Sequence, residues 1–271
     1  MGVCISRKIK VMEVKMQKKE ICWNITTRCN QGCRYCHRFL NINDLTFNEN
    51  EKILNNLIND GVTDITWTGG EALIYENIEE LIKIAYKNGI RNKLITNGKI
   101  LANSNMQVLN YLDSLTLSLD STNNKINQEL GRGEKHYTNV KYILDYIKEN
   151  NIDIKLRINT VANKLNIDNI SEFILFLNEY NIYAWRIFRF MPLRETAVKN
   201  KDEFEISDEQ FQAIKEKCNK ECNITNIEYR EEDDMEKKYV LLVANGDIVI
   251  TENGKDIAKG NALVDKVSQY M

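Results

Sequence analysis

The sequence predicts an α/β fold: a partial (β/α)6 barrel, open on one side, followed by a C-terminal extension that contains a β-hairpin. Three observations carry this. Six short runs with strand character, at residues 21–26, 64–68, 93–96, 115–120, 154–159 and 185–190, are separated by stretches of helical periodicity. Strands alternating with amphipathic helices build right-handed βαβ units and a parallel sheet, and six units are too few to close an eight-stranded barrel. After Phe190 the rhythm changes. Tyr239-Val-Leu-Leu-Val, Asn245-Gly246 and Asp247-Ile-Val-Ile then read as two strands joined by a type I′ turn.

Each element has a local cause. Thr46-Phe47-Asn48-Glu49 is a capping box that opens a helix. Ile53, Leu54, Leu57 and Ile58 give that helix its apolar face, and Gly61 stops it. The same spacing recurs in Ile78, Leu81, Ile82 and Ala85, and again in Val140, Ile143, Leu144 and Ile147. A helix over 208–220 has Phe211, Ile214 and Cys218 on one face. Residues 1–20 are polar and basic, with a weak alternation from Val11 to Met16 that suits an edge strand or a loose terminus. No linker or repeat divides the chain. The expected organisation is an N-terminal segment 1–20, a barrel 21–195, and an extension 196–271 covering the barrel's open side or mouth, all in one structural domain.

Composition narrows the class. A chain of 271 residues, 43% hydrophobic and 28% charged, is long enough for one large core. Its net charge of −2 provides no general surface for nucleic acid or membrane. No apolar run reaches the roughly 18 residues a membrane span needs. Seven irregularly spaced cysteines do not form a secreted disulfide framework and suit a reducing cytosol. A cytoplasmic monomer is expected. Met1-Gly2-Val3-Cys4-Ile5-Ser6 matches a lipidation pattern at Gly2 and Cys4, which reads as chance in a chain so rich in Asn, Ile and Lys, with one proline.

The chemistry centres on Cys29-Asn30-Gln31-Gly32-Cys33-Arg34-Tyr35-Cys36. Three thiolates on one tight loop can hold three irons of a [4Fe–4S] cubane and leave the fourth iron for another ligand. Structural zinc is the competing reading, but it favours four ligands in paired spacing, and His37 is badly placed to be the fourth. The strand ends give the second signal, because ligands of parallel α/β sheets bind there. They read Thr68-Gly69-Gly70-Glu71, Thr96-Asn97-Gly98, Ser118-Leu119-Asp120-Ser121, Arg157-Ile158-Asn159-Thr160 and Trp185-Arg186-Ile187-Phe188-Arg189. The glycines allow close backbone approach to a ligand, and Glu71 can receive a cationic amine. Singly these are turns and caps; together, behind a cysteine loop, they describe a site. With only His37 and His136 in the chain, a histidine acid–base centre is not expected.

The order of these pieces across residues 20–190 resembles the radical S-adenosylmethionine (SAM) superfamily. The resemblance implies a [4Fe–4S] cluster on Cys29, Cys33 and Cys36, with SAM as the second cofactor. By the same resemblance Tyr35, Gly69, Gly70, Glu71, Asn97, Ser118 and Arg132 contact SAM, Glu71 at its methionyl amine. An electron delivered by a flavodoxin- or ferredoxin-type donor would break the C5′–S bond, and the resulting 5′-deoxyadenosyl radical would take hydrogen from a substrate.

Gly131-Arg132-Gly133, His136, Arg157-Ile-Asn-Thr-Val, Trp185-Arg-Ile-Phe-Arg, Phe204-Glu-Ile-Ser-Asp-Glu-Gln-Phe and Tyr239-Val-Leu-Leu, in that order, resemble the viperin family, especially its prokaryotic members. That likeness implies dehydration of a nucleoside triphosphate to its 3′-deoxy-3′,4′-didehydro form, an antiviral chain terminator. Arg157, Asn159 and Arg186 would line the nucleotide pocket and Tyr239 would close it. Planar guanidinium forks suit triphosphate oxygens. The sequence departs from that family at Asp64, where a lysine is usual, and at Ala72, where a proline is usual; the family's asparagine on the first strand has Asn24 two residues later as its nearest counterpart. A molybdenum-cofactor-cyclase-like enzyme shares the Arg-x-Asn strand and Phe190-Met191-Pro192, but Cys218 and Cys222 are too few for its second cluster. Cys218 is expected in the core and Cys222 at the surface, and Cys22 is expected as a small buried hydrophobe. Peptide modification is the broader alternative. A non-catalytic iron–sulfur carrier is the other class, and it would have no use for the Gly69-Gly70-Glu71 amine site.

Overall fold

A computed structural model describes residues 19–235, 240–252 and 255–270. Gly2, Cys4, the alternation from Val11 to Met16, and Tyr239 lie outside the described residues.

The elements follow in the order β1 (Glu20–Thr26), α1 (Phe47–Asn59), β2 (Asp64–Gly69), α2 (Ile78–Lys87), β3 (Arg91–Thr96), β4 (Ser114–Ser118), α3 (Asn124–Glu129), α4 (His136–Glu149), β5 (Lys155–Ala162), α5 (Ile170–Leu177), β6 (Ala184–Arg189), α6 (Glu195–Lys199), α7 (Lys201–Phe204), α8 (Asp208–Glu221), β7 (Ile227–Arg230), β8 (Val240–Leu242), β9 (Asp247–Glu252) and β10 (Lys255–Asn261). They form one sheet in the order β10-β9-β8-β1-β2-β3-β4-β5-β6-β7. Every pair from β8 through β1 to β7 is parallel. The pairs β8–β9 and β9–β10 are antiparallel. β3 reaches β4 through two short 3-10 turns rather than an α-helix.

The sheet's two faces differ in chemistry, and this positions the site. On β1, Ile21, Trp23 and Ile25 are buried while Glu20, Cys22 and Asn24 alternate with them toward the other face. Trp23 stacks on Trp67 of β2, ring centroids 5.0 Å apart, and the Trp67 indole donates to Asn92 Oδ1 at 2.8 Å. The apolar stripes of the helices meet this face. Ile53, Leu54 and Leu57 of α1, Ile78, Leu81, Ile82 and Ala85 of α2, and Val140, Ile143, Leu144 and Ile147 of α4 are all buried. Each fully buried Leu or Ile contributes about 1.5–3 kcal/mol. The capping box at Thr46 and Glu49 is complete, and past the end of α1 Val62 N donates to Leu57 O at 3.0 Å while Gly61 takes a left-handed φ of 73°.

The turn at Asn245-Gly246 is not type I′, because only Gly246 has positive φ (86°). Gly246 N donates to Val243 O at 2.8 Å and Val243 N to Asp247 O at 2.9 Å, the pattern of a longer loop that ends in a left-handed glycine. Asn-Gly satisfies either geometry. Cys218 is buried on the core face of α8 and Cys222 caps that helix, half-buried. Among the described residues, no helix is long and apolar enough to cross a membrane.

Candidate active site

The inward face of the sheet and the loop after β1 enclose a cavity of about 580 Å³. Cys29, Cys33, Tyr35, Cys36, Gly69, Gly70, Glu71, Asn97, Ser118, Arg132, Arg157, Asn159 and Arg186 all line it. With Cys22 and Asn24 of β1 and Lys93 of β3 also on its wall, side chains from β1 to β6 and from the loops after β1 and α3 meet in one chamber.

Backbone contacts hold the cysteine loop at one end of it. Gly32 N donates to Gly131 O and Arg34 N to Leu130 O, each at 3.0 Å. Gly70 N donates to Thr26 O at 2.8 Å and Glu71 N to Arg28 O at 2.9 Å. Packing within the chain gives these glycines a reason of their own. A Cβ at Gly70 would stand 2.2 Å from Arg28 O, and one at Gly131 2.2 Å from Gly32 O. Their small size is required by backbone lying on backbone, so that the neighbouring turns can clasp the cysteine loop.

Side chains complete the clasp. Gln31 Nε2 meets His136 Nδ1 at 3.1 Å, and His136 Nε2 meets Ser118 O at 2.9 Å. Because a carbonyl only accepts, Nε2 carries the proton and Nδ1 accepts from the amide. Burial, and next the positive charge of Arg132, hold the His136 imidazole well below the usual histidine range. Asn97 Nδ2 donates to Asn30 Oδ1 at 2.8 Å and approaches Cys29 Sγ at 3.8 Å, while Arg38 N lies 3.4 Å from Cys36 Sγ.

These features fit an iron–sulfur group. Three cysteine side chains share one wall, backbone and amide N–H groups point at two of the sulfurs, and cations stand beside them. Arg132 opposes the upward pull of burial on the Cys33 thiol, and Arg38 opposes it at Cys29. Among the described residues no three His, Cys, Asp or Glu side chains converge tightly enough to hold one metal ion. A cubane needs less convergence, since each thiolate binds a different iron.

Beside the loop stands a buried carboxylate that sequence reading passed over. Asp120 Oδ2 accepts from both the Tyr35 hydroxyl and Arg132 Nε, and Asp120 Oδ1 accepts from Val161 N at 2.8 Å. The Arg132 guanidinium also lies 5.6 Å from the Tyr35 ring centre. Asp120 leaves the strand end early, with β4 stopping at Ser118, and so fixes two predicted SAM residues at once. Its signal was present in Ser118-x-Asp120 but resembled a helix cap. Glu71 is buried; its Oε2 accepts from Asn97 N at 2.7 Å and its Oε1 from Thr96 Oγ1 at 2.8 Å. Burial raises its carboxyl above the ordinary value, and these hydrogen bonds oppose the rise.

The far end of the cavity is polar and basic. Arg157, Asn159 and Arg186 face inward from β5 and β6, with Asn159 directly opposite Arg186 in register. Asn159 Oδ1 is buried and receives no hydrogen bond. Lys93, unforeseen in the sequence, reaches the cavity from β3 and pairs with Glu20 at 2.7 Å and Asp64 at 2.9 Å. Asp64 also pairs with Arg91 at 2.6 Å and does not line the cavity, so the acidic residue turns away from the chamber. Cys22 corrects an expectation: it lines the cavity instead of the apolar core, because it shares β1's inward positions with Glu20 and Asn24. Burial pushes its thiol up to about 12. Phe188, Phe190 and Met191 supply apolar wall, and Arg194 braces the rim by a paired contact to Asp256 (2.8 and 2.9 Å) and by stacking 4.2 Å over Phe39.

A mostly parallel α/β sheet whose strand ends surround a three-cysteine loop defines a cofactor enzyme of the iron–sulfur type. Residues 23–177 match the radical SAM superfamily, and the chain belongs to it. Members of that superfamily use a [4Fe–4S] cluster and SAM. Among curated proteins, the chain is 29% identical over 176 residues to an S-adenosylmethionine-dependent nucleotide dehydratase of Selenomonas ruminantium, covering 61% of this chain and 64% of that one. It is 29% identical over 240 residues to one of Flammeovirga pacifica, covering 83% and 80%. Among solved structures it resembles Streptococcus suis SuiB bound to the precursor peptide SuiA, at a TM-score of 0.72, 20% identity, and 93% and 64% coverage. It also resembles anSMEcpe with bound AdoMet, at a TM-score of 0.69, 13% identity, and 94% and 80% coverage. These structural likenesses are likenesses of fold.

Proposed function

We propose that this chain is a radical SAM nucleotide dehydratase of the viperin kind, converting a nucleoside triphosphate to its 3′-deoxy-3′,4′-didehydro form. The observation that carries the reading is one cavity with three cysteines at one end and, at the other, two inward guanidiniums and an unsatisfied asparagine oxygen. The names of the curated relatives support it.

Cys29, Cys33 and Cys36 would hold the cluster. Glu71 would accept the methionyl amine of SAM, with Thr96 and Asn97 N fixing its carboxylate. Asn97 and Ser118 would border the adenosine, and Arg132, steadied by Asp120 and lying over Tyr35 of the cysteine loop, would reach SAM. When bound, these cofactors supply a hydrogen-abstracting 5′-deoxyadenosyl radical once one electron has entered. The chain's own work is orientation and exclusion of water. Arg157 and Arg186 would carry the triphosphate, and Asn159 Oδ1 would accept from a hydroxyl or amino group of the nucleoside. Tyr239 would close over the substrate. Side chains from β1 to β6 sharing one chamber favour a sheet curled into a partial barrel. A cytoplasmic monomer served by a flavodoxin- or ferredoxin-type donor completes the proposal.

The test is anaerobic. With the cluster reconstituted and reduced by dithionite, SAM is added and CTP, UTP, GTP and ATP are screened. The expected result is 5′-deoxyadenosine that depends on one nucleotide, together with a product lighter by one water. Slow 5′-deoxyadenosine formation indifferent to every nucleotide would move the substrate elsewhere.

A further inference from the structure

Behind the two arginines assigned to the substrate lies an acidic residue that binds a third. Glu228 of β7 accepts from Arg186 Nε at 2.8 Å and from Arg230 Nη2 at 2.7 Å, and Arg157 Nη1 stands 3.6 Å away. The three arginines line the cavity; Glu228 does not. Register explains the convergence, since β7 lies parallel to β6 with Arg186 opposite Glu228 and Phe188 opposite Arg230.

The donor count leaves room for a ligand. Three guanidiniums carry about fifteen N–H donors, against about four lone-pair directions on one carboxylate. Asp234 adds a contact to Arg230 at 3.9 Å. Arg157 also stacks over the Tyr183 ring at 4.7 Å, and burial together with the Arg186 charge beside it lowers its pKa. Two cations are therefore held close together with Glu228 shared between them and Glu20 acting from further off. The neighbouring orphaned Asn159 Oδ1 marks the same end of the chamber as awaiting a partner. A di- or triphosphate can spread its charge and oxygens over all three forks at once.

We propose that Arg230 is a third guanidinium of a polyphosphate cradle, and that Glu228 is its built-in counter-ion, holding the three arginines in place from behind and setting how tightly the anion binds. This rests on the nucleotide reading only for the identity of the natural ligand. Arg189, also on the wall, is not part of the cradle, because Asp208, Ile206 O and Glu231 already hold it.

Inorganic tripolyphosphate is the probe, titrated calorimetrically into the reconstituted protein at low salt, with the nucleoside as a neutral control. Arg230→Gln should weaken tripolyphosphate about tenfold, as expected for one lost charge-assisted contact, with Arg230→Lys between it and the parent. Glu228→Gln keeps an acceptor oxygen while removing the competing charge, so it should tighten tripolyphosphate several-fold. Opposite signs are what a packing role would not produce. An unchanged affinity in Arg230→Gln overturns the assignment of Arg230, and equal weakening in both variants overturns the counter-ion role. Failure of the parent to bind tripolyphosphate, while a nucleotide still drives 5′-deoxyadenosine formation, overturns the cradle and leaves the nucleotide reading standing. The predicted pattern of affinities without turnover of any nucleotide supports the cradle and removes the dehydratase reading.

Discussion

Gln31 and His136 are 105 residues apart in the chain and 3.1 Å apart in space, and that contact ties the cysteine loop to the start of α4. Through His136 the loop is tied again to the carbonyl of Ser118 at the end of β4. In this geometry the Gln31 Nε2 donates to a neutral ring, and a protonated Nδ1 would have to turn the amide round to its oxygen.

This gives a pH dependence with a definite sign. The folded-state pKa of His136 lies well below the unfolded value of 6.5, pressed down by burial and by Arg132. Its stabilising contribution is full above about pH 6.5 and is lost as pH falls, because only the unfolded chain takes up the proton. The loss approaches about 1.4 kcal/mol per pH unit. Thermal melts from pH 7 to 5 should show the fall, and His136→Gln should flatten it. An identical slope in the variant would place the effect elsewhere.

Gly131→Ala should displace the cysteine loop. It combines a φ of 84° with a Cβ 2.2 Å from Gly32 O. The left-handed conformation alone costs on the order of 1–3 kcal/mol. Gly133→Ala is the control: its φ is 95°, with no atom within 4 Å of the added carbon. Both variants should melt lower, but only Gly131→Ala should also lose iron during reconstitution, measured per chain. Equal iron content would show that the clasp does not matter to the loop.

For Asp120→Asn, the expected outcome is weaker SAM binding with iron content preserved. The substitution leaves the buried Arg132 guanidinium without its anion and the Tyr35 hydroxyl without its acceptor of choice. Breaking a buried ion pair costs about 3–5 kcal/mol, so the melting temperature falls as well. Equilibrium binding of SAM to the reconstituted protein is the discriminating measurement; unchanged SAM affinity would reduce Asp120 to a packing role.

Glu71→Ala should abolish SAM cleavage and spare the cluster, with 5′-deoxyadenosine and the iron absorbance read on the same sample. Glu71→Gln keeps an oxygen for Asn97 N and loses the charge, so it should retain the fold and bind SAM weakly. Normal cleavage in the alanine variant would remove Glu71 from the site.

Much of this was legible because it is local. The capping box at Thr46 and Glu49, the buried stripes of α2 and α4, and all six central strands follow from periodicity over a few residues. So does the gathering of Cys29, Glu71, Asn97 and Ser118, since parallel strands deliver their C-terminal ends to one edge; Arg132 reaches them from the loop before α4. β7 escaped notice because Ile227-Glu228-Tyr229-Arg230 borders a run of charge that reads as solvated surface. Lys93 escaped because a lysine following Arg91 and Asn92 at the start of a strand reads as solvated.

The sequence by itself determined the alternation of strand and helix, the three-cysteine loop, and which strand ends carry polar groups, because each is set by neighbours along the chain. Only the tertiary structure decided what those groups do to one another. Gly70 and Gly131 are small for the sake of the cysteine loop's backbone, Asp120 steadies Tyr35 and Arg132, Asp64 turns to Arg91 and Lys93, and Glu228 gathers three arginines from three strands. Partners on different elements leave no periodic trace in the chain, since strand order and register bring them together.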